Sequence, residues 1–132
     1  MIDKRELRIG NYVKPNNAGM FKVLQIDGWR LRIGLDGARQ GKWLPERLIK
    51  PIPLAPEILE RCGFKHHKRH HILDGDVEFY SKGEFHVLKR DGFLIHAEFS
   101  EYIYEIGQPI KYLHQLQNLY YCLTAEELTF RG

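Results

Sequence analysis

The sequence is poor in the features that mark secreted, membrane-spanning or disulfide-stabilised proteins. Its two cysteines, Cys62 and Cys122, are widely separated and fit neither a disulfide framework nor a zinc motif. No apolar run approaches the ~20 residues that a membrane-spanning helix needs. The opening residues, MIDKRELRIG, lack the apolar core of a signal peptide. We therefore expect a cytoplasmic protein without a membrane partner.

Catalytic motifs are also missing from the sequence, which has no glycine-rich phosphate loop and no nucleophile with a recognisable setting. His86 and His96 lie five residues either side of Asp91, so a hairpin centred there would place them opposite each other. With Glu84 or Glu98 nearby, the pair could act in acid–base catalysis. A cross-strand pair on a wet sheet face is more commonly structural. We predict a protein that is not an enzyme and uses no metal or cofactor.

Charge is unevenly distributed along the chain. Residues 1–73 carry 15 basic and 7 acidic side chains, whereas residues 74–132 carry 5 basic and 10 acidic ones. An excess of positive charge in the first half favours a partner with an acidic or phosphate-bearing surface. The alternative is that the two halves attract each other, or that both simply present solvated faces.

The first half of the sequence predicts a small, bent β-sheet. Asp27-Gly28 is the strongest hairpin signal in the chain. After it, apolar residues alternate with Arg30 and Arg32, which predicts a half-buried strand with Trp29 in the core and both arginines outside. Trp43 is expected to be more open. Short strands joined by tight turns indicate an SH3-like sheet.

The second half predicts a short helix, an antiparallel β-meander and a C-terminal helix. Pro51 and Pro53 favour an extended connector, and Pro56 suits the first turn of a helix. Strand candidates separated by glycine-containing turns follow. The complete prediction is an α+β fold in a single domain, 1–132, with possible lobes at 1–54 and 55–132 and the C-terminal helix packed on the meander sheet.

The C-terminal helix carries a broad apolar stripe at helical spacing. We expect Leu116 and Tyr120 of this stripe to be buried against the meander. Thr124 and Glu127 form a capping-box pattern, which predicts a second short helix through Leu128. The polar side chains on the flank of the main helix form a candidate binding face: His114, Gln117, Asn118 and Tyr121.

The segment Lys65–His71 contains four histidines interleaved with three cations. Four imidazoles could ligate a transition metal, but His66 and His67 are adjacent and no cysteine or carboxylate lies at zinc spacing. The cations would repel a metal ion and suit a phosphate contact better. The remaining interpretation is a solvated loop between a helix and a strand.

Basic side chains of the first half are the candidate contacts to a negatively charged partner. The tryptophans could add a stacking surface, since nucleic-acid bases stack on aromatic rings. The candidate residues are Arg30, Arg32, Arg39, Lys42, Lys65, Lys68 and Arg69.

Several stretches of the chain resemble an uncharacterised family of small proteins from phages, prophages and mobile elements. The family typically ends in VHQLQNLYFALTGEEL, which is similar to LHQLQNLYYCLTAEEL at 113–128. LRIGNYV at 7–13 and IKPIPL at 49–54 also resemble it. The chain departs from the signature at Tyr121-Cys122 and Ala125, and no established activity comes with the family.

Two functions are consistent with this resemblance and with the charge distribution. The first is a non-enzymatic phage-encoded binding protein of the host cytoplasm. It would dock on a host or phage protein or ribonucleoprotein, for example as an anti-CRISPR-like inhibitor of a host defence system. The alternative is a nucleic-acid-binding accessory protein of phage replication or gene regulation, with RNA or DNA as its partner.

Overall fold

The computed structural model describes residues 2–15, 19–35, 40–71, 75–89, 92–99 and 102–131. The side chains of residues 4, 69, 71, 94–99 and 102–108 are outside the description. Ten strands and two α-helices are present in these ranges, with short 3-10 turns at Lys4–Glu6 and Glu46–Leu48. The α+β fold predicted from the sequence is confirmed. The elements are β1 (Tyr12–Pro15), β2 (Phe21–Asp27), β3 (Arg30–Gly34), β4 (Lys42–Pro45), β5 (Ile49–Lys50), α1 (Pro56–Arg61), β6 (Lys65–His71), β7 (Gly75–Lys82), β8 (Phe85–Lys89), β9 (Phe93–Phe99), β10 (Tyr102–Ile110) and α2 (Leu113–Thr124).

The first compact unit contains residues 1–53 and 112–125. Its five-stranded antiparallel sheet has the order β4-β3-β2-β1-β5, so that the short last strand returns to pair with β1. A register shift between Val23 and Gln25 makes a β-bulge in β2, which bends the strand. Its core is formed by the inward aliphatic residues Ile2, Leu7, Val13, Val23, Leu31, Ile33 and Ile49.

The second compact unit contains residues 54–111 and 126–132. Its five strands follow one another as an antiparallel meander in the order β10-β9-β8-β7-β6. Val77, Phe79 and Leu88 form a buried cluster on one face of this sheet. Within the described ranges, no helix is long and apolar enough to cross a membrane.

The C-terminal helix α2 belongs to the first unit, which corrects the prediction that it packs on the meander. Leu116 and Tyr120 are buried, as expected, but in the unit that contains the first sheet. The helix enters that unit through two backbone contacts: the Leu113 N–H donates to the Ile52 carbonyl at 2.8 Å, and Pro53 forms a bridge with Tyr112. The connector around the two prolines therefore pairs with the start of α2.

The second short helix predicted after Thr124 is not formed. α2 ends where Ala125 adopts a left-handed conformation with φ 60°, and its N–H donates to the Tyr121 carbonyl. The Thr124 hydroxyl donates to the Tyr120 carbonyl at 2.7 Å instead of capping a new helix. Thr124 thus lies at the end of α2 rather than at the start of another helix. Its hydroxyl can either cap a following helix or donate to the carbonyl four residues earlier, and here it does the latter.

Candidate functional site

A tight hairpin between β2 and β3 positions the candidate arginines. Asp27 pairs with Arg30, which leaves Gly28 and Trp29 as a two-residue loop. Gly28 has a φ of +56° at the first loop position, where the type II′ turns favoured in hairpins place glycine. The Asp27-Gly28 signal therefore predicted the turn correctly, and it fixes the register of everything that follows in β3.

We define the arginine–tryptophan face as the residues Gln25, Asp27, Arg30, Arg32 and Trp43 on one side of strands β2, β3 and β4. Gln25 and Trp43 pair with Arg32 from opposite sides, and Asp27 pairs with Arg30. Residues paired directly across antiparallel strands share a face. The alternating pattern therefore placed both arginines on the outer side as predicted, with Leu31 and Ile33 buried on the opposite face of β3.

Neighbouring side chains hold both guanidinium groups in place. The Arg30 guanidinium lies 4.3 Å from the centre of the Trp43 ring, a cation–π contact, and 3.3 Å from an Asp27 carboxylate oxygen. The Arg32 Nε donates to the Gln25 side-chain oxygen at 3.2 Å. These contacts offset the positive charge of the arginines only weakly, because ion pairs at a half-exposed surface are weak. Each guanidinium group therefore has a defined contact within the sheet.

Trp29 is 66% exposed, so the prediction that it belongs to the core is wrong. The alternation of apolar residues was extended one residue too far, because Trp29 lies in the hairpin loop and β3 begins only at Arg30. Its carbonyl accepts a hydrogen bond from the Glu46 N–H at 2.8 Å, which fixes the loop. Its ring borders a cleft of about 220 Å³ shared with Pro45 and Arg47. An exposed tryptophan beside an ordered guanidinium–indole pair is the feature that sequence reasoning missed.

The other predicted cations are not gathered on this face. Lys42 is exposed but pairs with the core residue Ile33, so it projects from the opposite side of β4. Arg39 lies outside the described residues. Lys65 and Lys68 are exposed on β6 of the second unit, and the side chain of Arg69 in the same strand is outside the description.

The histidine-rich segment is a β-strand rather than the solvated loop considered above. β6 is the outer strand of the second sheet and pairs with β7 along its whole length. Successive side chains of a strand point to opposite faces, so His66 and His67 are directed apart. His66 lies 3.4 Å from a Glu78 oxygen, and the His67 Nε2 lies 2.8 Å from the Ser81 hydroxyl oxygen. Among the described residues, no three metal-ligating side chains are placed together.

The hairpin proposed for the second histidine pair has the expected register. Val87 pairs with Ile95 and Lys89 with Phe93, which centres the hairpin at residue 91. The His86 ring lies 5.8 Å from the Phe79 ring. The side chain of His96 lies outside the described residues, so the placement of the two histidines opposite each other on one face stays a prediction.

The polar face of α2 forms hydrogen bonds with the segment that leads into β1 and with the first residue of that strand. Gln117 is 1% exposed: its side-chain oxygen accepts the Tyr12 N–H at 2.8 Å, and its nitrogen donates to the Gly10 carbonyl at 3.2 Å. The Asn118 amide nitrogen donates to the Glu6 carbonyl at 2.7 Å. These side chains supply hydrogen bonds to backbone groups that are not paired within a strand.

His114 and Asn118 make further contacts with the same segment, whereas Tyr121 stays partly exposed. His114 is 1% exposed, and its Nε2 lies 2.9 Å from a Glu6 carboxylate oxygen. The Asn118 oxygen accepts from the Asn11 side chain at 2.8 Å and from Arg8 at 3.2 Å. Tyr121 is 43% exposed, and the Arg8 guanidinium lies 4.7 Å from its ring centre. Of the four predicted residues, Tyr121 is therefore the one left open to solvent.

Comparison with models of protein families, with curated proteins and with solved structures found no match to this chain.

Proposed function

We propose that this protein is a non-catalytic binding protein that contacts a partner through the arginine–tryptophan face and the neighbouring Trp29. The observation that carries the proposal is the exposure of Trp29 next to two arginines held in place by their neighbours. Tryptophan and arginine are the residues that most often dominate the energy of protein interfaces. Ordered side chains also lose less conformational freedom on binding, which favours affinity.

The charge of the first unit supports a partner with a negatively charged surface. Its residues, 1–53 and 112–125, include 11 basic and 5 acidic side chains. Asp27 lies against Arg30, and Glu46 lines the cleft beside Trp29, so the local surface is mixed rather than uniformly positive. Such a surface suits a specific contact better than a diffuse electrostatic one, since opposite charges fix the register of an interface.

The resemblance to phage and mobile-element proteins suggests which partner to test first. A small binding protein of a phage meets host proteins and ribonucleoproteins in the cytoplasm. In this proposal the partner is a component of a host defence system, which the protein inhibits by covering an acidic or nucleic-acid-bearing surface. Lys65 and Lys68 of the second unit are proposed to add contacts to the same class of partner.

Binding of single-stranded nucleic acid is the second candidate function. The exposed indole of Trp29 and the stack of Arg30 on Trp43 favour it. Single-stranded binders combine aromatic platforms with cations along the backbone, and each stacked base contributes about 1–3 kcal/mol. A pull-down of the tagged protein from infected cells, with and without nuclease, separates the two candidates. A protein that stays bound after nuclease treatment favours a protein partner. Loss of the captured material after nuclease treatment favours nucleic-acid binding.

Trp29→Ala should weaken binding of the captured partner at least about tenfold while leaving the fold intact. An exposed loop side chain contributes little to stability, so the free energy of unfolding should change by no more than about 0.5 kcal/mol. Leu35→Ala is the matched control, because Leu35 is 61% exposed in the same unit and lies outside the face. Calorimetric titration of both variants measures the effect. If Trp29→Ala and Leu35→Ala bind the partner with equal affinity, Trp29 is not part of the interface.

A further inference from the structure

The second unit contains a cleft that none of the preceding arguments uses. Its volume is about 400 Å³, within the range of pockets that hold small ligands. Arg61, Lys82 and Arg131 line it, and Glu60 is the acidic residue among its described lining residues. These three cations come from distant parts of the sequence: the end of α1, the end of β7 and the C-terminal segment. The sequence gives no local signal for this site, because only the fold brings them together.

Three contacts hold the end of α1, the end of β7 and the C-terminal segment together. The Arg131 N–H donates to the Arg61 carbonyl at 2.9 Å, which attaches the C-terminal segment to the end of α1. The Arg61 guanidinium lies 5.9 Å from the centre of the Phe130 ring. The Lys82 ammonium donates to the Cys62 carbonyl at 2.8 Å. The C-terminal segment and the end of β7 are therefore both attached to the end of α1, which brings Arg61, Lys82 and Arg131 to one cleft.

Gly63 allows this approach of Lys82. It has a φ of +92°, which suits the turn that ends α1. A Cβ at this position would lie 3.2 Å from the Lys82 nitrogen, tighter than an ordinary contact. The absence of a side chain at Gly63 thus permits both the turn that ends α1 and the close approach of Lys82.

The thiol beside the cleft does not offer chemistry of its own. Cys62 is 2% exposed, and burial raises its pKa to about 12 although the charge of Lys82 opposes the shift. The thiolate is the nucleophilic form, so Cys62 is inert near neutral pH. The cleft is suited to binding rather than to catalysis.

We propose that this cleft binds the phosphate group of a small phosphorylated molecule. Three cations against one carboxylate leave an excess of positive charge. Two of the cations are guanidinium groups, whose paired donors match the oxygens of a phosphate. The cleft lies within the second unit, and the proposal does not depend on the partner-binding function of the first.

Titration with inorganic pyrophosphate tests the proposal on the full-length protein. We expect saturable binding of one equivalent. Arg131→Glu should weaken it at least about tenfold, the factor that corresponds to ~1.4 kcal/mol. The backbone contact of residue 131 does not require the arginine side chain, so the variant should retain its unfolding midpoint. Lys111→Glu is the matched control, because it reverses an exposed charge of the same unit that lies at least 18 residues in sequence from every lining residue of the cleft, and its affinity for pyrophosphate should be unchanged.

A second variant and two further probes keep the proposal open to refutation. Arg61→Gln should also weaken pyrophosphate binding, without introducing a negative charge. Citrate should bind more weakly than pyrophosphate, and an oligothymidylate should not displace it at equal concentration. Absence of saturable binding, equal loss in Arg131→Glu and Lys111→Glu, or tighter binding of citrate or the oligonucleotide would each overturn the proposal.

Discussion

Reversing both arginines of the arginine–tryptophan face, in Arg30→Glu with Arg32→Glu, should abolish partner binding. Their charge is the part of the face that a negatively charged partner recognises. Arg30 is held by Trp43 and Asp27, and Arg32 by Gln25, so both present one arrangement to the partner. Binding of the unmodified protein should also weaken as salt rises, because ions screen contacts between exposed charges. Calorimetry at two salt concentrations measures both effects.

Two controls separate lost contacts from lost stability in this experiment. Glutamate at position 30 would face Asp27, so Arg30→Gln with Arg32→Gln removes the charges without creating this repulsion. Lys14→Glu with Lys50→Glu reverses two cations that pair across β1 and β5 of the same unit. We expect the neutral double variant to lose most of the affinity and the lysine variant to keep it. Binding that survives reversal of both arginines and is insensitive to salt would contradict the proposal.

Replacing Gln117 by leucine should destabilise the protein by roughly 2–5 kcal/mol, although the substitution adds an apolar residue to a helix. The Tyr12 N–H and the Gly10 carbonyl would lose their partners. Each buried polar group left without a hydrogen bond costs about 1–3 kcal/mol. Urea denaturation followed by circular dichroism measures the loss.

Gln40→Leu serves as the control for this variant, because the same change is made at an exposed position of the same unit. It should alter the free energy of unfolding by no more than about 0.5 kcal/mol. A loss below this value in Gln117→Leu would show that the polar face of α2 does not hold the segment before β1.

The polar face of α2 links two stretches that lie about a hundred residues apart in the sequence. Gln117 and Asn118 lie in the stretch 113–120, and their partners Gly10, Asn11 and Tyr12 lie in the stretch 7–13. Residues far apart in the chain therefore meet through specific hydrogen bonds. This arrangement accounts for the HQLQN sequence by a structural requirement, so the motif is not needed as a partner-binding element.

Local patterns in the sequence predicted the elements of the fold well. The alternation around Leu31 and Ile33 gave the correct inner face of β3, and the Asp27-Gly28 pair gave the correct hairpin. The same alternation failed at Trp29, because a turn residue has no fixed side of the sheet. Periodicity acts over a few residues and loses its meaning where an element ends.

The parts that could not be predicted depend on contacts between distant residues. Gln117 resembles a solvent-facing helix residue, yet it is buried, because the Tyr12 N–H and the Gly10 carbonyl compensate for its desolvation. His114 is buried as well, although only its Nε2 has a partner, Glu6, among the described residues. The cleft of the second unit has the same origin, since Arg61 and Arg131 are neighbours only in the folded chain. The sequence alone shows which functional groups such residues carry, but not which residues they contact in the folded chain.

Hydrogen–deuterium exchange of the complex with the captured partner tests the proposed interface most directly. Residues 25–32 and 43–47, which hold the arginine–tryptophan face and the Trp29 cleft, should exchange more slowly in the complex than in the free protein. The backbone of 7–13, already bonded to α2, should change little. Protection that is absent from 25–32 and 43–47 and confined to the second unit would contradict the account and place the binding surface there.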